Sequence, residues 1–161
     1  MKTFKIEAEM ASCTIEELSV EDRKLIEIAK DATHRSYAPY SKFCVGAALQ
    51  LSNNEVVMGC NQENASYPVG ICAERSALFG AQAQYPDVPV TTLAIAARYA
   101  ESGNFTDQPV GPCGICRQAL LETEHRLGDI RILLYSAKEI VVVNRVADLL
   151  PLQFTAEDLE S

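Results

Sequence analysis

Apolar residues recur at helical spacing in three parts of the chain, and this pattern predicts three helices. The first is expected over roughly residues 20–35, where Ser19 offers an N-cap hydroxyl. The second is expected from Cys72 to about Gln84, and the third over about 113–125. Each pattern is apolar on one side only, so each helix should lie against another layer of structure.

Short runs rich in β-branched and apolar residues lie between and after these helices and predict five strands. The expected strands are Val45–Leu51, Val56–Cys60, Thr91–Ala97, Ile130–Ser136 and Ile140–Asn144. Because strands alternate with helices, the predicted fold is α/β: a three-layer α/β/α sandwich around a mixed five-stranded sheet. A short helix at Val146–Leu150 should follow the last strand. Residues 1–18 show little periodicity beyond a short strand suggested at Phe4–Met10, and part of this stretch is expected to be loosely ordered.

Composition limits the classes of function. A chain of 161 residues predicts a single domain, residues 1–161. The formal net charge of -8 disfavours a nucleic acid polymer as partner, because a phosphate backbone would be repelled on average. No stretch has the roughly 20 apolar residues of a membrane span, so no membrane partner is expected. The start of the chain lacks a signal-peptide pattern, which predicts a cytoplasmic protein whose six cysteines stay reduced.

Three of these cysteines have the spacing of a metal site. Cys113 and Cys116 are three residues apart at the start of the third predicted helix, so they share a face. Cys72 lies at the start of the second helix. The positive end of a helix favours thiolate over thiol, so two such ends meeting at one point would stabilise the negative charge of thiolate ligands. We expect the three cysteines to hold one Zn²⁺ with the fourth position left for water, and Glu74 to move protons beside it.

The spacing of Cys72 and Glu74 sets a condition on this hypothesis. Residues two apart do not share a helical face, so Cys72 must lie at or just before the first helical residue. Three thiolates would also leave excess negative charge on the metal. Arg75 and Gln118 are expected to donate hydrogen bonds to the sulfurs and offset that charge.

Simpler interpretations exist for the same residues. The Cys-x-x-Cys pair could be a redox motif, or all three cysteines could be core residues. Glu74 and Arg75 could be solvated helix residues. The other cysteines, Cys13, Cys44 and Cys60, have no close-spaced partner and are interpreted as buried or free thiols.

Five segments together resemble the small homotetrameric type of the zinc-dependent cytidine deaminases. They are Cys72–Arg75, Pro112–Gln118, Tyr40–Leu49, Asn61–Pro68 and Asp148–Phe154. The similarity covers roughly residues 20–159 and includes a non-ligating glutamate beside the zinc ligands. It implies a cytoplasmic, homotetrameric enzyme of pyrimidine salvage that hydrolyses cytidine and deoxycytidine to the uridines and ammonia.

The resemblance also implies roles for residues that bind substrate. Asn61 and Glu63 would hydrogen-bond the ribose hydroxyls, and the Ala73 backbone N–H would meet the pyrimidine carbonyl. Phe43 would pack on the base or sugar; otherwise it is a core aromatic. Tyr67 would border a neighbouring subunit's site. Phe154 would stack on the base in an adjacent subunit; otherwise it anchors the C-terminal segment.

Three other functions compete with cytidine deamination. A related deaminase could act on another aminopyrimidine nucleoside such as blasticidin S. A polynucleotide-editing deaminase would need a basic channel, which the net charge disfavours. A non-enzymatic zinc protein would need a fourth protein ligand, and the sequence offers no further Cys or His at suitable spacing.

Overall fold

Six strands form one sheet in the computed structural model, which describes residues 1–159. The strands are β1 (Met10–Cys13), β2 (Phe43–Leu51), β3 (Val56–Cys60), β4 (Val90–Tyr99), β5 (Arg131–Tyr135) and β6 (Ile140–Val143). Their order across the sheet is β1-β6-β5-β4-β2-β3. Only β4 and β5 are parallel, so the predicted mixed sheet is confirmed.

The predicted number of five strands is wrong, because the N-terminal segment adds β1 to the free edge of β6. The strand suggested at Phe4–Met10 is also wrong, since only Met10 belongs to β1. Met10, Ala11 and Ser12 are exposed, and backbone hydrogen bonds hold this edge strand. A strand with three of its four residues exposed has no alternating pattern by which the sequence could reveal it.

The three predicted helices are confirmed with small changes of length. Helix α1 spans Val20–Ala32, α2 spans Ala73–Gln84 and α3 spans Gly114–Leu127. The Ser19 hydroxyl accepts a hydrogen bond from the Asp22 N–H, as expected of an N-cap. In residues 1–159, no helix has the length and apolar character needed to cross a membrane. The single-domain prediction also includes residues 160–161, which lie outside the described residues.

The helices lie on both faces of the sheet, so the three-layer α/β/α architecture is confirmed. On one face, Ile26 and Ala29 of α1 pack with a cluster that includes Ala48 and Leu133. On the other face, α2 and α3 cover a larger cluster that includes Leu49, Leu93, Ile95 and Ile132. Alternate residues of β2 and β4 therefore enter different clusters, which explains why β4 is apolar almost throughout.

Glycine lets α2 approach the sheet closely. A Cβ atom on Gly59 of β3 would lie 2.6 Å from the Ala73 carbonyl oxygen, closer than real Cβ contacts allow. The backbone of β3 therefore lies directly against the first turn of α2. This contact sets the distance between the sheet and the first turn of α2, and Cys72 is the residue just before that turn.

Candidate metal centre and pocket

The sulfur atoms of Cys72, Cys113 and Cys116 meet at one point. The Cys72 and Cys113 sulfurs are 3.8 Å apart, those of Cys113 and Cys116 are 3.4 Å apart, and all three lie within 4.8 Å of one another. Cys72 is the N-cap residue of α2 and Cys113 is the N-cap residue of α3. The predicted placement of Cys72 just before its helix is therefore confirmed, and both helices point their positive ends at the sulfurs.

The sulfur positions fit a tetrahedral zinc ion. With Zn–S bonds of about 2.3 Å, tetrahedral geometry separates two sulfurs by about 3.8 Å, close to the spacing found here. Among residues 1–159, no fourth histidine, cysteine or carboxylate joins the three within that range. Three thiolates without a fourth protein ligand are the donor set of an open zinc site rather than a closed structural one.

The surroundings favour negative charge on Cys72. The neighbouring Cys116 thiol is the largest cause that lowers the pKa of Cys72, to about 5, against the opposing effect of burial. The Arg75 guanidinium adds to this lowering, with Nη2 4.0 Å from the Cys72 sulfur. The same contact with Cys72 raises the pKa of Cys116. The predicted proximity of Arg75 to a ligand sulfur is thus found in the structure.

Arg75 also carries an unsatisfied polar atom. Its Nε atom is buried and has no hydrogen-bond partner in residues 1–159. A buried N–H of a charged group without a partner is costly, so it has to be explained by something at the site. Additional negative charge on the sulfurs, as three thiolates would carry, would be stabilised by this donor side chain.

Glu74 lies in the first turn of α2, beside the sulfurs. Only 5% of its surface is exposed, and burial raises the pKa of its carboxyl group. The charge of Cys72 raises it further. A carboxyl group with a raised pKa in a pocket is suited to accept and return protons.

A cavity of about 670 Å³ opens beside the sulfurs. Its lining includes seven predicted site residues: Asn61, Glu63, Tyr67, Cys72, Ala73, Glu74 and Cys113. The volume is within the usual range for small-molecule sites. Val110 and Gly111, at the end of the long connection after β4, also line it. Cys116 lies behind the other two sulfurs and is fully buried.

Asn61 and Glu63 line the same cavity, and hydrogen bonds with backbone groups hold both side chains. The Asn61 amide accepts from the Val45 N–H at 2.8 Å and donates to the Phe43 carbonyl at 2.9 Å. Glu63 Oε2 accepts from the Tyr40 N–H at 2.9 Å. A hydrogen bond from the Ser41 hydroxyl is the largest cause that lowers the pKa of Glu63. Both side chains are therefore oriented before any ligand binds.

Three residues predicted to act at the site, Phe43, Phe154 and Gln118, do not line this cavity in the single chain. The Phe43 ring packs edge-on against Tyr99 with ring centroids 5.6 Å apart. Phe154 is 57% exposed. Gln118 donates to the Phe154 carbonyl at 2.9 Å rather than to a sulfur. The structure therefore brings the ligand cysteines and Glu74 together but leaves these three roles as predictions.

The sequence analysis assigned no role to Tyr40 or Arg117, which lie near the site. Tyr40 forms an edge-to-face pair with the predicted residue Tyr67 at the cavity, with ring centroids 5.8 Å apart. Arg117 hydrogen-bonds the backbone just before Cys113. Its position immediately after Cys116 was a usable signal, because arginine near thiolates often serves their electrostatics or geometry.

Known proteins are similar to this chain in both sequence and fold. The family model described as the cytidine and deoxycytidylate deaminase zinc-binding region matches residues 19–128. The chain therefore belongs to this family of zinc-binding deaminases. Within the family, it is 40% identical over 136 residues to a cytidine deaminase of Sporosarcina psychrophila, covering 84% of this chain and 93% of the relative.

Further cytidine deaminases agree with this comparison. One from Halalkalibacterium halodurans is 40% identical over 135 residues, covering 84% of this chain and 95% of that protein. The crystal structure of the enzyme from Burkholderia pseudomallei superposes with a TM-score of 0.68 at 38% identity. That match covers 85% of this chain and 100% of the other. The predicted resemblance, fold class and zinc cofactor are thereby confirmed.

Proposed function

We propose that this protein is an enzyme that hydrolyses the exocyclic C–N bond of cytidine and deoxycytidine, giving uridine or deoxyuridine and ammonia. The observation that carries this proposal is the buried Glu74 carboxyl group in a ligand-sized cavity, two residues from Cys72. The cytidine deaminases that match most of the chain support the same reaction.

The metal-binding residues would be Cys72, Cys113 and Cys116. Zinc, when bound, supplies a Lewis acid that brings the pKa of water toward neutrality. Arg75 would offset part of the charge of the three thiolates. The Ala73 N–H is free of intrahelical bonds because it begins α2, so it can donate to the pyrimidine carbonyl.

Glu74 would move each proton of the reaction. Its carboxylate takes a proton from the attacking water and gives it to ring N3 while oxygen bonds to C4. It then takes the proton of the new hydroxyl group and gives it to the amino group. The C4–N bond breaks, ammonia leaves and the carboxylate is restored. One group must therefore reach water, N3 and the amino nitrogen in turn.

Two polar residues of the cavity lining would recognise the sugar. Asn61 and Glu63 are proposed to hydrogen-bond the ribose hydroxyls, using the lone pairs and N–H that their backbone contacts leave free. Phe43 is proposed to pack near the base or sugar and Tyr67 to border the site. Because Phe154 is exposed and does not line its own chain's cavity, it is proposed to stack in an adjacent subunit's site.

The chain is further proposed to act as a single catalytic domain in a cytoplasmic homotetramer that serves pyrimidine salvage. Several large apolar side chains are exposed, as expected of surfaces that subunits would cover: Tyr67, Val69, Phe79, Ile115 and Phe154. All six cysteines are free thiols, which agrees with a reducing compartment.

One more distant relative has a second substrate class. A blasticidin-S deaminase of Bacillus cereus is 26% identical over 155 residues, covering 96% of this chain. Ammonia release should therefore be measured with zinc-loaded protein on cytidine, deoxycytidine and blasticidin S, with zinc-stripped protein as control. We expect turnover of the two nucleosides. Turnover of blasticidin S alone, or equal rates without zinc, would overturn the proposal.

A further inference from the structure

The three sulfurs differ in how firmly the fold holds them. Cys116 is fully buried on α3, and Cys72 is fixed because Gly59 lets α2 lie against β3. Cys113 is exposed, and its own side chain makes no capping hydrogen bond. A Cβ atom on Gly114 would meet no atom within 4 Å, so packing does not restrain this turn either.

Arg117 supplies the missing restraint. Its Nε–H donates to the Pro112 carbonyl at 2.8 Å, one residue before Cys113, and its Nη1–H donates to the Leu149 carbonyl at 2.8 Å. Within residues 1–159, no other side chain hydrogen-bonds the backbone of Pro112 or Cys113. The planar guanidinium thus joins the cysteine turn to the segment after β6 in a fixed geometry.

We infer that Arg117 is a positioning residue that holds the Cys113 turn in its metal-binding conformation by bridging the Pro112 and Leu149 carbonyl groups. The guanidinium that contacts a ligand sulfur is that of Arg75, not that of Arg117. Arg117 also does not line the cavity. Its effect is to keep the Cys113 sulfur near the other two when thermal motion or solvent would draw this exposed turn away. The inference rests on the proposed zinc site.

A matched control exists on the same helix. The Glu124 carboxylate accepts hydrogen bonds from the N–H groups of Val146 and Ala147, at 2.6 and 2.9 Å. It therefore also joins α3 to the segment after β6, but it does not touch the cysteine turn. Glu124→Gln weakens the same junction as Arg117→Gln while leaving the Pro112 contact intact.

The test is the rate at which zinc-loaded protein gives up its metal to a colorimetric chelator, together with urea unfolding of the loaded and zinc-free forms. Arg117→Gln should release zinc about 10- to 100-fold faster than the wild type, as is typical when partners outside the ligand shell are lost. Glu124→Gln should lower stability in both forms but release zinc at the wild-type rate.

Arg117→Lys keeps the charge but cannot span both carbonyl groups, so it should also release zinc faster than the wild type. Wild-type release from either Arg117 variant, or equal release from Arg117→Gln and Glu124→Gln, would overturn the inference. If Arg117→Gln fails to fold, Arg117→Lys decides alone. A wild type that binds no zinc would instead overturn the proposed function, so the two failures are distinguishable.

Discussion

Gly59 on β3 and Ala73 at the start of α2 lie in backbone contact, with 2.6 Å between the Ala73 carbonyl oxygen and the place a Gly59 Cβ would occupy. Since Ala73 follows Cys72 directly, this contact links the sheet to the metal site. Any side chain at position 59 must push the first turn of α2, and with it Cys72, away from the sheet.

Gly59→Ala should therefore lower the free energy of unfolding by about 1–3 kcal/mol, the usual cost of overpacking, and weaken zinc binding. Gly80→Ala is the control, because a Cβ at Gly80 in α2 meets only the Gln84 side chain at 4.0 Å. Alanine there should raise stability by about 0.5–1 kcal/mol. Urea unfolding and zinc titration check both; a neutral Gly59→Ala would contradict the contact.

Glu74→Gln should lower kcat for cytidine by at least about 100-fold, because the amide cannot carry protons between water and the base. The variant should keep its fold and its zinc, since glutamine has the same shape and Glu74 is not a ligand. Metal analysis measures the zinc content, and the loss of cytidine absorbance measures kcat. Glu122→Gln, an exposed glutamate on α3, is the control and should be unchanged. Wild-type turnover by Glu74→Gln would remove Glu74 from the mechanism.

Arg75→Gln should weaken zinc affinity or kcat by about 10- to 100-fold, because it removes the positive group 4.0 Å from the Cys72 sulfur. The pKa of Cys72 should rise in the zinc-free protein, since Arg75 helps to lower it. The rate of thiol alkylation as a function of pH reports this pKa. Arg35→Gln, which changes an exposed arginine paired with Asp31, serves as the control. An unchanged alkylation profile would contradict the electrostatic role of Arg75.

Glu63→Gln should raise KM for cytidine more than it lowers kcat, because the residue is proposed to bind the sugar and not the reacting ring. The Ser41 and backbone hydrogen bonds that lower the pKa of Glu63 favour its charged form. Glu63 should therefore stay ionised at pH values near the usual glutamate pKa of about 4.3. Protonation of Glu63 should then not raise the wild-type KM between pH 7 and pH 5. Steady-state kinetics at both pH values test this; an unchanged KM in Glu63→Gln would exclude the sugar contact.

Local patterns were enough to predict the helices, most strand positions and the meeting of the three cysteines. The sequence predicts that Cys72 lies at or just before the first helical residue, because Cys72 and Glu74 must approach one point. Cys72 is the N-cap residue of α2 in the structure, as predicted. The helices, the strands and this N-cap depend on residues within one or two turns of each other, where periodicity and capping rules apply directly. The meeting of Cys72 with Cys113, 41 residues further along, was predicted instead from the number of ligands that a zinc ion requires.

The features that sequence reasoning missed depend on distant segments. Arg117 meets the Leu149 carbonyl, 32 residues further along the chain, and no local rule predicts that pairing. Gln118 was expected at a sulfur, yet it donates to the Phe154 carbonyl. A long polar side chain can reach several backbone groups, and only the three-dimensional arrangement selects one.

The antiparallel pairing of Met10–Cys13 with Ile140–Val143 has a consequence for handling the protein. Truncating the chain before residue 14 would uncover the backbone N–H and C=O groups of β6, a strand made of isoleucine and valine alone. Such a bare, β-branched edge is a template for recruiting another polypeptide strand. Proteins shortened in this way should therefore self-associate and precipitate, whereas the intact N-terminus acts as a protective cover for that edge.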